Sequence, residues 1–134
     1  KIIKEDKKIK TKEKDIYIDS FNHQTGYESM MAAYKKGEMP TVFICGSDTI
    51  AMGALSALGE LDTKLSEKIS IISYNNIKSA QYMNPPLTSL SLNTKYMGEL
   101  AGNLVKHMSS SSHVTPIKVM CATHLVIRES VYDN

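Results

Sequence analysis

The chain has 134 residues, of which 42% are hydrophobic and 22% are charged, and its formal net charge is +2. This composition is ordinary for one globular domain with a real core, and the charge alone does not indicate nucleic-acid binding. No apolar run is long enough to span a membrane, and no signal-peptide pattern opens the chain. Because the chain starts at Lys1 without an initiator methionine, we expect it to be a segment of a longer protein.

Residues 1–14 carry seven lysines interspersed with three acidic residues. One interpretation is a basic arm that binds phosphates. The other is the solvated end of a helix followed by a loop. We favour the second interpretation, because acids are mixed in and no aromatic residue is interleaved for base stacking.

Residues 15–19 are rich in β-branched and aromatic side chains, which predicts a strand. A polar loop with one aromatic residue, Phe21, comes next. We expect Thr25 to cap the following helix, since Glu28 stands at capping-box spacing. One apolar stripe marks that helix, formed by Tyr27, Met30, Met31 and Tyr34. Gly37 is the expected residue just past the helix end.

A central unit of strand, helix and strand follows. The apolar run at residues 41–45 stops at Gly46-Ser47-Asp48, a helical pattern covers 49–61, and a second run at 69–73 stops at Tyr74-Asn75-Asn76. This order is typical of a βαβ unit with a parallel sheet. Small ligands bind outside the carboxyl ends of such strands, so the two polar loops are the first candidates for a site.

The helix of this unit has an expected N-cap at Asp48, although Ser47 is nearly as good a capping residue. Its apolar residues cover more than one side, so it must pack on the sheet and on a second surface. A subunit interface is the simplest candidate for that surface. Gly53 and Gly59 are expected to permit close approach of a neighbour.

In the rest of the chain, residues 77–83 predict a short helix or turn, and the alternating run 87–92 predicts a strand. A clean amphipathic helix starts near Asn93 or Thr94. Its stripe consists of Met97, Leu100, Ala101, Leu104, Val105 and Met108. A serine-rich break at 109–112 separates it from a predicted strand at 117–121 and a further apolar run at 125–127.

No catalytic constellation is present in the sequence: the four histidines have no partner at metal or triad spacing, and phosphate-binding and nucleophile motifs are missing. We therefore expect no enzyme, no metal and no cofactor. Cys45 and Cys121 lie in apolar strand-like runs and are expected to be small buried hydrophobes in a reducing compartment. Polar groups at the strand ends, with Phe21 nearby, suit a sugar or another polyhydroxylated ligand. An interpretation as ordinary turn residues stands equally open.

The combined motifs resemble the LacI/GalR family of bacterial transcriptional regulators from about Ile16 to Ser130. The motifs that carry the resemblance are Ser47-Asp48 with Ala51 and Gly53-Ala54-Leu55, Ile69-Ser70-Ile71 before Tyr74-Asn75-Asn76, Pro85-Pro86-Leu87-Thr88, Met97-Gly98, and Arg128-Glu129-Ser130. Each motif is modest by itself, but their shared order and spacing are specific.

The resemblance implies an α/β fold in which a parallel sheet is flanked by helices, the carboxyl-terminal lobe of a type I periplasmic-binding-protein-like domain that is incomplete here. Residues 1–92 would form that lobe, 93–116 a crossover helix belonging to the amino-terminal lobe, and 117–134 returning strands and the tail. The crossover helix would then expose its apolar stripe or associate through it. The family's helix-turn-helix headpiece, which reads operator DNA, would lie outside this chain.

The same resemblance implies roles for individual residues. Phe21 matches an aromatic residue that stacks on the effector, and Ser47 matches a polar effector contact. Asn75 stands where sugar-responsive members usually carry an aspartate. The asparagine keeps a hydrogen-bond acceptor at this position but removes the negative charge. Asp48 is interpreted mainly as a helix cap at the cleft. The positions that match the family's dimer interface are Met52, Gln81, Tyr82 and Met83.

The leading hypothesis is therefore the sugar-binding and dimerisation region of a cytoplasmic LacI-type repressor of carbohydrate-use genes. Its partners would be a sugar or sugar derivative, a second copy of the chain, and operator DNA, with no membrane partner. The alternative is a solute-binding protein of a sugar transport system, which would carry a signal peptide in place of the headpiece. An enzyme would need a catalytic group that the sequence does not offer.

Overall fold

The computed structural model describes residues 15–37, 39–61, 65, 67–110 and 116–133. The lysine-rich residues 1–14 lie outside this part, so neither interpretation of them is tested. The elements are helix α1 (His23–Lys35), strand β1 (Val42–Ile44), helix α2 (Asp48–Glu60), strand β2 (Ser70–Asn75), a 3₁₀ helix (Lys78–Tyr82), strand β3 (Thr88–Ser91), helix α3 (Thr94–Ser109) and strand β4 (His124–Val126).

The four strands form one open sheet in the order β1-β2-β3-β4. Strands β1, β2 and β3 run parallel, with Ile44 opposite Ile72 and Asn75 opposite Ser91. The expected parallel sheet is confirmed for these three strands, whereas β4 pairs with β3 in the antiparallel direction. The carboxyl ends of the three parallel strands consequently share one edge of the sheet.

Helix α2 is covered on its second side by α1. A Cβ atom added to Gly53 would lie 1.9 Å from the carbonyl oxygen of His23, and one added to Gly26 would lie 1.9 Å from that of Ile50. The two helices therefore touch backbone to backbone. The second surface that we expected to be a subunit is thus supplied by the chain itself. Close approach is confirmed at Gly53 but not at Gly59, where an added Cβ would meet open space.

The hydrophobic core joins α1, α2, β2 and the segment from the 3₁₀ helix to β3. Its buried members are Met30, Cys45, Ala51, Ala54, Ala57, Leu58, Ile69, Ile71, Ala80 and Leu87. Most of the side chains that α2 contributes are alanines, because a helix pressed between a sheet and another helix has little room for larger groups. The small residues of the sequence thus determine how closely the layers approach.

The start of α1 differs from the prediction. Asn22 is the N-cap, and its side-chain oxygen accepts a hydrogen bond of 2.8 Å from the backbone nitrogen of Thr25. Thr25 itself is buried in the first turn, so its expected role as the cap is wrong. The chain is already helical at His23, so the cap lies three residues before the position that Glu28 suggested. Gly37 has φ +71°, as expected for a residue past the helix end.

Two of the predicted strands are not formed: neither 15–19 nor 117–121 belongs to the sheet. Ile18 is 90% exposed and Met120 is 82% exposed. Extended, β-branched sequence becomes a strand only where a partner completes the ladder. The later apolar run provides β4 instead, because Leu125 lies opposite Leu90 of β3. The predicted turn at 77–83 is confirmed as the 3₁₀ helix.

Helix α3 begins where the sequence predicts, with Asn93 as the N-cap. None of its residues is buried, and Met97, Val105 and Met108 of its apolar stripe are exposed, whereas Leu100 and Leu104 are half-buried. The expected exposure is therefore confirmed for most of this stripe. None of the helices in the described ranges has the length and apolar character needed to cross a membrane.

Candidate functional site

The loop after β1 sets the start of α2. Ser47 is the N-cap: its backbone is extended (φ −157°), and its Oγ accepts a hydrogen bond of 3.3 Å from the backbone nitrogen of Ile50. Asp48 is the first helical residue, so its predicted role as the helix cap is wrong. Both residue types are good caps, and the tertiary contacts of the Asp48 carboxylate explain which of them fills the position.

The carboxylate of Asp48 is only 1% exposed and accepts three hydrogen bonds. Its Oδ1 accepts from the hydroxyls of Ser73 and Ser89, the latter at 2.6 Å. Its Oδ2 accepts from the backbone nitrogen of Ile77 at 2.6 Å. One side chain thus links the start of α2 to β2, β3 and the loop after β2. This carboxylate organises the site and is not available to a ligand.

The loop after β2 has an unusual backbone. Asn75 and Asn76 are consecutive non-glycine residues with positive φ, +104° and +51°. Asparagine tolerates this region better than most residues, but each such residue still costs about 1 kcal/mol. The backbone nitrogen of Asn76 donates to Ser89 Oγ at 3.0 Å, and its Nδ2 donates to Ser91 Oγ at 3.3 Å. The turn is held from β3 and leaves Asn75 exposed at the edge of the sheet.

Phe21 forms an aromatic surface beside the loop after β1. The side chain is 74% exposed, and its ring Cε1 lies 3.4 Å from the position that a Cβ on Gly46 would take. The ring therefore rests against the backbone at Gly46, next to Ser47. The structure places Phe21 and Ser47 at one strand end and Asn75 at the end of the neighbouring strand. The three predicted effector contacts consequently share one edge.

The predicted dimer positions fall on two elements. Met52 is half-buried on α2, and Met83 is half-buried against the core cluster. Gln81 and Tyr82 are exposed at the end of the 3₁₀ helix, with Tyr82 exposed to 74%. The more exposed pair is therefore the better placed to meet a partner.

Arg128 and Ser130 are residues whose roles sequence reasoning missed. The guanidinium of Arg128 donates to the carbonyl of Leu87 at 2.5 Å and to Oδ1 of Asn76 at 2.8 Å. Ser130 accepts a hydrogen bond from the backbone of Thr88 and donates to the carbonyl of Ile71. The motif Arg128-Glu129-Ser130 is part of the family resemblance, but nothing local in the sequence points to hydrogen-bond partners about fifty residues away.

The two cysteines, both free thiols, differ in environment. Cys45 is buried, and desolvation, with a smaller effect of the Asp48 charge, raises the pKa of its thiol to about 12. The expectation of a small buried hydrophobe is confirmed there. Cys121 is only half-buried and lies outside any strand, which corrects its predicted setting.

We expect native Cys45 to resist alkylation at pH 8, because the thiolate is the reactive form and burial disfavours it. Iodoacetamide followed by mass spectrometry should label Cys121 first, which serves as the internal control. Both cysteines should react in urea. Labelling of Cys45 in the folded protein at a rate equal to that of Cys121 would contradict this prediction.

Within the described ranges, no group of three or more His, Cys, Asp or Glu side chains is placed to hold a metal ion. The site is instead made of neutral hydrogen-bonding groups and one aromatic ring. Such a set can bind hydroxyl or amide groups and stack on a flat or apolar face.

The sequence matches the periplasmic binding protein-like domain family over residues 3–131, so the chain belongs to that family. It is 31% identical over 130 residues to proteins of Escherichia coli described as HTH-type transcriptional repressor PurR, for example from strain O1:K1 / APEC. The match covers 97% of this chain and 38% of the relative. The chain thus spans well under half the length of these curated relatives.

Solved structures show the same fold. The transcription regulator CcpA of Lactococcus lactis superposes with a TM-score of 0.81 and 24% identity, covering 92% of this chain and 45% of that one. The lac repressor dimer bound to operator and the anti-inducer ONPF superposes with a TM-score of 0.75 and 22% identity, and the match covers 83% of this chain and 38% of that one. The chain is therefore homologous to part of the PurR repressors and shares its fold with part of these two regulators. These relatives are described as transcriptional regulators.

Proposed function

We propose that this chain forms the carboxyl-terminal lobe of the effector-binding domain of a LacI-type repressor, and that its effector is a sugar or sugar derivative. The observation that carries the proposal is the exposed Phe21 ring resting on Gly46, at the same sheet edge as Asn75. Sheet edges of this kind are where open α/β folds bind small ligands.

The polar groups at this edge fit a neutral, hydroxylated ligand. Ser47 uses its oxygen to accept from Ile50, which leaves its hydroxyl hydrogen to donate. The amide of Asn75 supplies both a donor and an acceptor, whereas the aspartate of sugar-responsive relatives supplies acceptors only. The Phe21 ring can pack on the apolar face of a sugar.

We also propose the division of the chain that the resemblance implies: residues 1–92 as the lobe, 93–116 as a crossover helix, and 117–134 as the returning segment. The exposed apolar stripe of α3 supports this division, because an amphipathic helix needs a partner for that stripe. Hydrogen exchange on the full-length natural protein checks it. Protection of α3 equal to that of a solvated helix would contradict the division.

In the full-length protein, the same lobe would dimerise through Met52 and the segment Gln81-Tyr82-Met83, and an amino-terminal headpiece would bind operator DNA in the cytoplasm. Effector binding would favour one arrangement of the lobes and so change the spacing of the headpieces. Sedimentation velocity at micromolar concentration should show a dimer. A monomer under these conditions, or secretion of the protein on cell fractionation, would contradict this part of the proposal.

The test of effector binding is calorimetry on the full-length protein with a panel of sugars and sugar phosphates. For the ligand that binds, Phe21→Ala should weaken affinity about tenfold, since loss of an aromatic stacking contact costs about 1 kcal/mol or more. Tyr34→Ala is the matched control, because Tyr34 is an exposed aromatic residue at the opposite end of α1. Absence of heat with every ligand, with operator affinity unchanged, would refute the proposed function.

A further inference from the structure

Arg128 joins two parts of the chain that lie far apart in sequence. Its half-buried side chain donates to the carbonyl of Leu87 just before β3 and to the side-chain oxygen of Asn76 after β2. The two acceptors belong to different elements. A planar guanidinium can satisfy both from a fixed position, whereas a lysine ammonium is a single point of charge on a flexible stem.

The guanidinium is not needed to fix the backbone of its own segment. The backbone nitrogen of Arg128 donates to Thr88 Oγ1 at 2.8 Å, and that hydroxyl donates back to the carbonyl of Arg128 at 3.1 Å. Ser130 exchanges further hydrogen bonds with Thr88, Ile71 and the carbonyl of Pro86. These hydrogen bonds hold the segment around Arg128 and Ser130 without using the guanidinium. The hydrogen bond from the guanidinium to Asn76 therefore needs another explanation.

That explanation lies in the strained turn after β2. Asn75 and Asn76 both have positive φ, a conformation that persists only when surrounding contacts hold it. Asn76 is held by Ser89 and Ser91 from β3 and by Arg128 from the segment after β4. Because the two residues share a peptide bond, holding Asn76 also restricts the backbone of Asn75, from which its side-chain amide projects.

We propose that Arg128 is a positioning residue for the effector-contacting amide of Asn75 and acts through the side chain of Asn76. This inference rests on the proposed function. It makes Arg128 a determinant of effector affinity although it does not touch the ligand. It also links effector affinity to the segment that follows β4.

The test is a double-mutant cycle in the full-length protein, with the sugar that gives the strongest calorimetric signal as the probe. Arg128→Met should raise Kd about tenfold, and Arg128→Lys should raise it by less. In an Asn76→Gly background, where the side-chain acceptor of Arg128 at position 76 is gone and only the Leu87 carbonyl remains, Arg128→Met should change Kd by no more than about twofold. Glu129→Gln, an exposed neighbour, is the matched control and should leave Kd unchanged.

Hydrogen exchange supplies a readout that needs no ligand. Arg128→Met should speed exchange of the Asn76 amide, while the amides in the middle of α2 keep their wild-type rates; a general loss of stability would speed both. An unchanged Kd in a folded Arg128→Met protein would overturn the inference, as would an equal rise in Kd in both backgrounds. If the wild-type protein binds no sugar, the proposed function fails. Exchange of the Asn76 amide in Arg128→Met then tests whether Arg128 holds the turn. Faster exchange supports that role, and unchanged exchange overturns it.

Discussion

Gly53→Ala is expected to lower the free energy of unfolding by about 3 kcal/mol, which is large for the addition of one methyl group. The added Cβ would stand 1.9 Å from the carbonyl oxygen of His23, which is backbone and cannot rotate away. The only relief is to separate α1 from α2, and this would open the core along both helices. Gly26→Ala should have a similar effect, because its Cβ would meet the carbonyl oxygen of Ile50 at the same distance.

The matched control is Gly59→Ala, the same change in the same helix. An added Cβ at Gly59 meets nothing within 4 Å. Since alanine favours a helix more than glycine, this variant should be stabilised by about 0.5–1 kcal/mol. Urea unfolding of the three variants measures the difference. If Gly53→Ala and Gly59→Ala shift the midpoint in the same direction, the backbone contact between the helices is absent.

Asp48→Ala is expected to destabilise the protein by about 3 kcal/mol, because it removes the common acceptor of three buried or half-buried donors. Ser73 has a second acceptor, the carbonyl of Thr88 at 3.5 Å, which offsets part of the loss. The backbone nitrogen of Ile77 loses its partner. The loop that carries Asn75 should loosen as well, so amide exchange at Ile77 should accelerate.

The control for this prediction is Asp19→Ala, the same chemical change at an exposed position whose carboxylate bonds only to its neighbour Ser20 among the contacts described. Exposed substitutions of this kind usually change stability by less than about 0.5 kcal/mol. Chemical denaturation at neutral pH compares the two variants. Equal destabilisation by both substitutions would show that the buried network is energetically unimportant.

Local patterns in the sequence were enough to predict the βαβ unit, the turn at 77–83, and the start and apolar stripe of α3. These features depend on residues close together in the chain, such as the apolar period of α3 and the polar residues after each strand. The family resemblance, also drawn from sequence, is confirmed by the match over residues 3–131.

The errors arose where distant residues decide the outcome. Ser47 and Asp48 are both good caps, and only the hydroxyls of Ser73 and Ser89 explain why Asp48 turns inward. Residues 15–19 have strand composition but no place in the ladder. The second partner of α2 was a helix already present in the chain, and the contact with it depends on two glycines that no periodicity marks.

The crossing of α1 and α2 has a mechanical consequence. The helices touch at Gly26 and Gly53, within the first two turns of each. The first turn of α1, next to Phe21, is therefore held against the first turns of α2, next to Ser47. A displacement of the start of α1 would therefore be passed directly to the capped end of α2. The two helices should shift together as one rigid unit. A displacement at the proposed ligand site would then reach Met52, on the second turn of α2, without passing through a flexible loop.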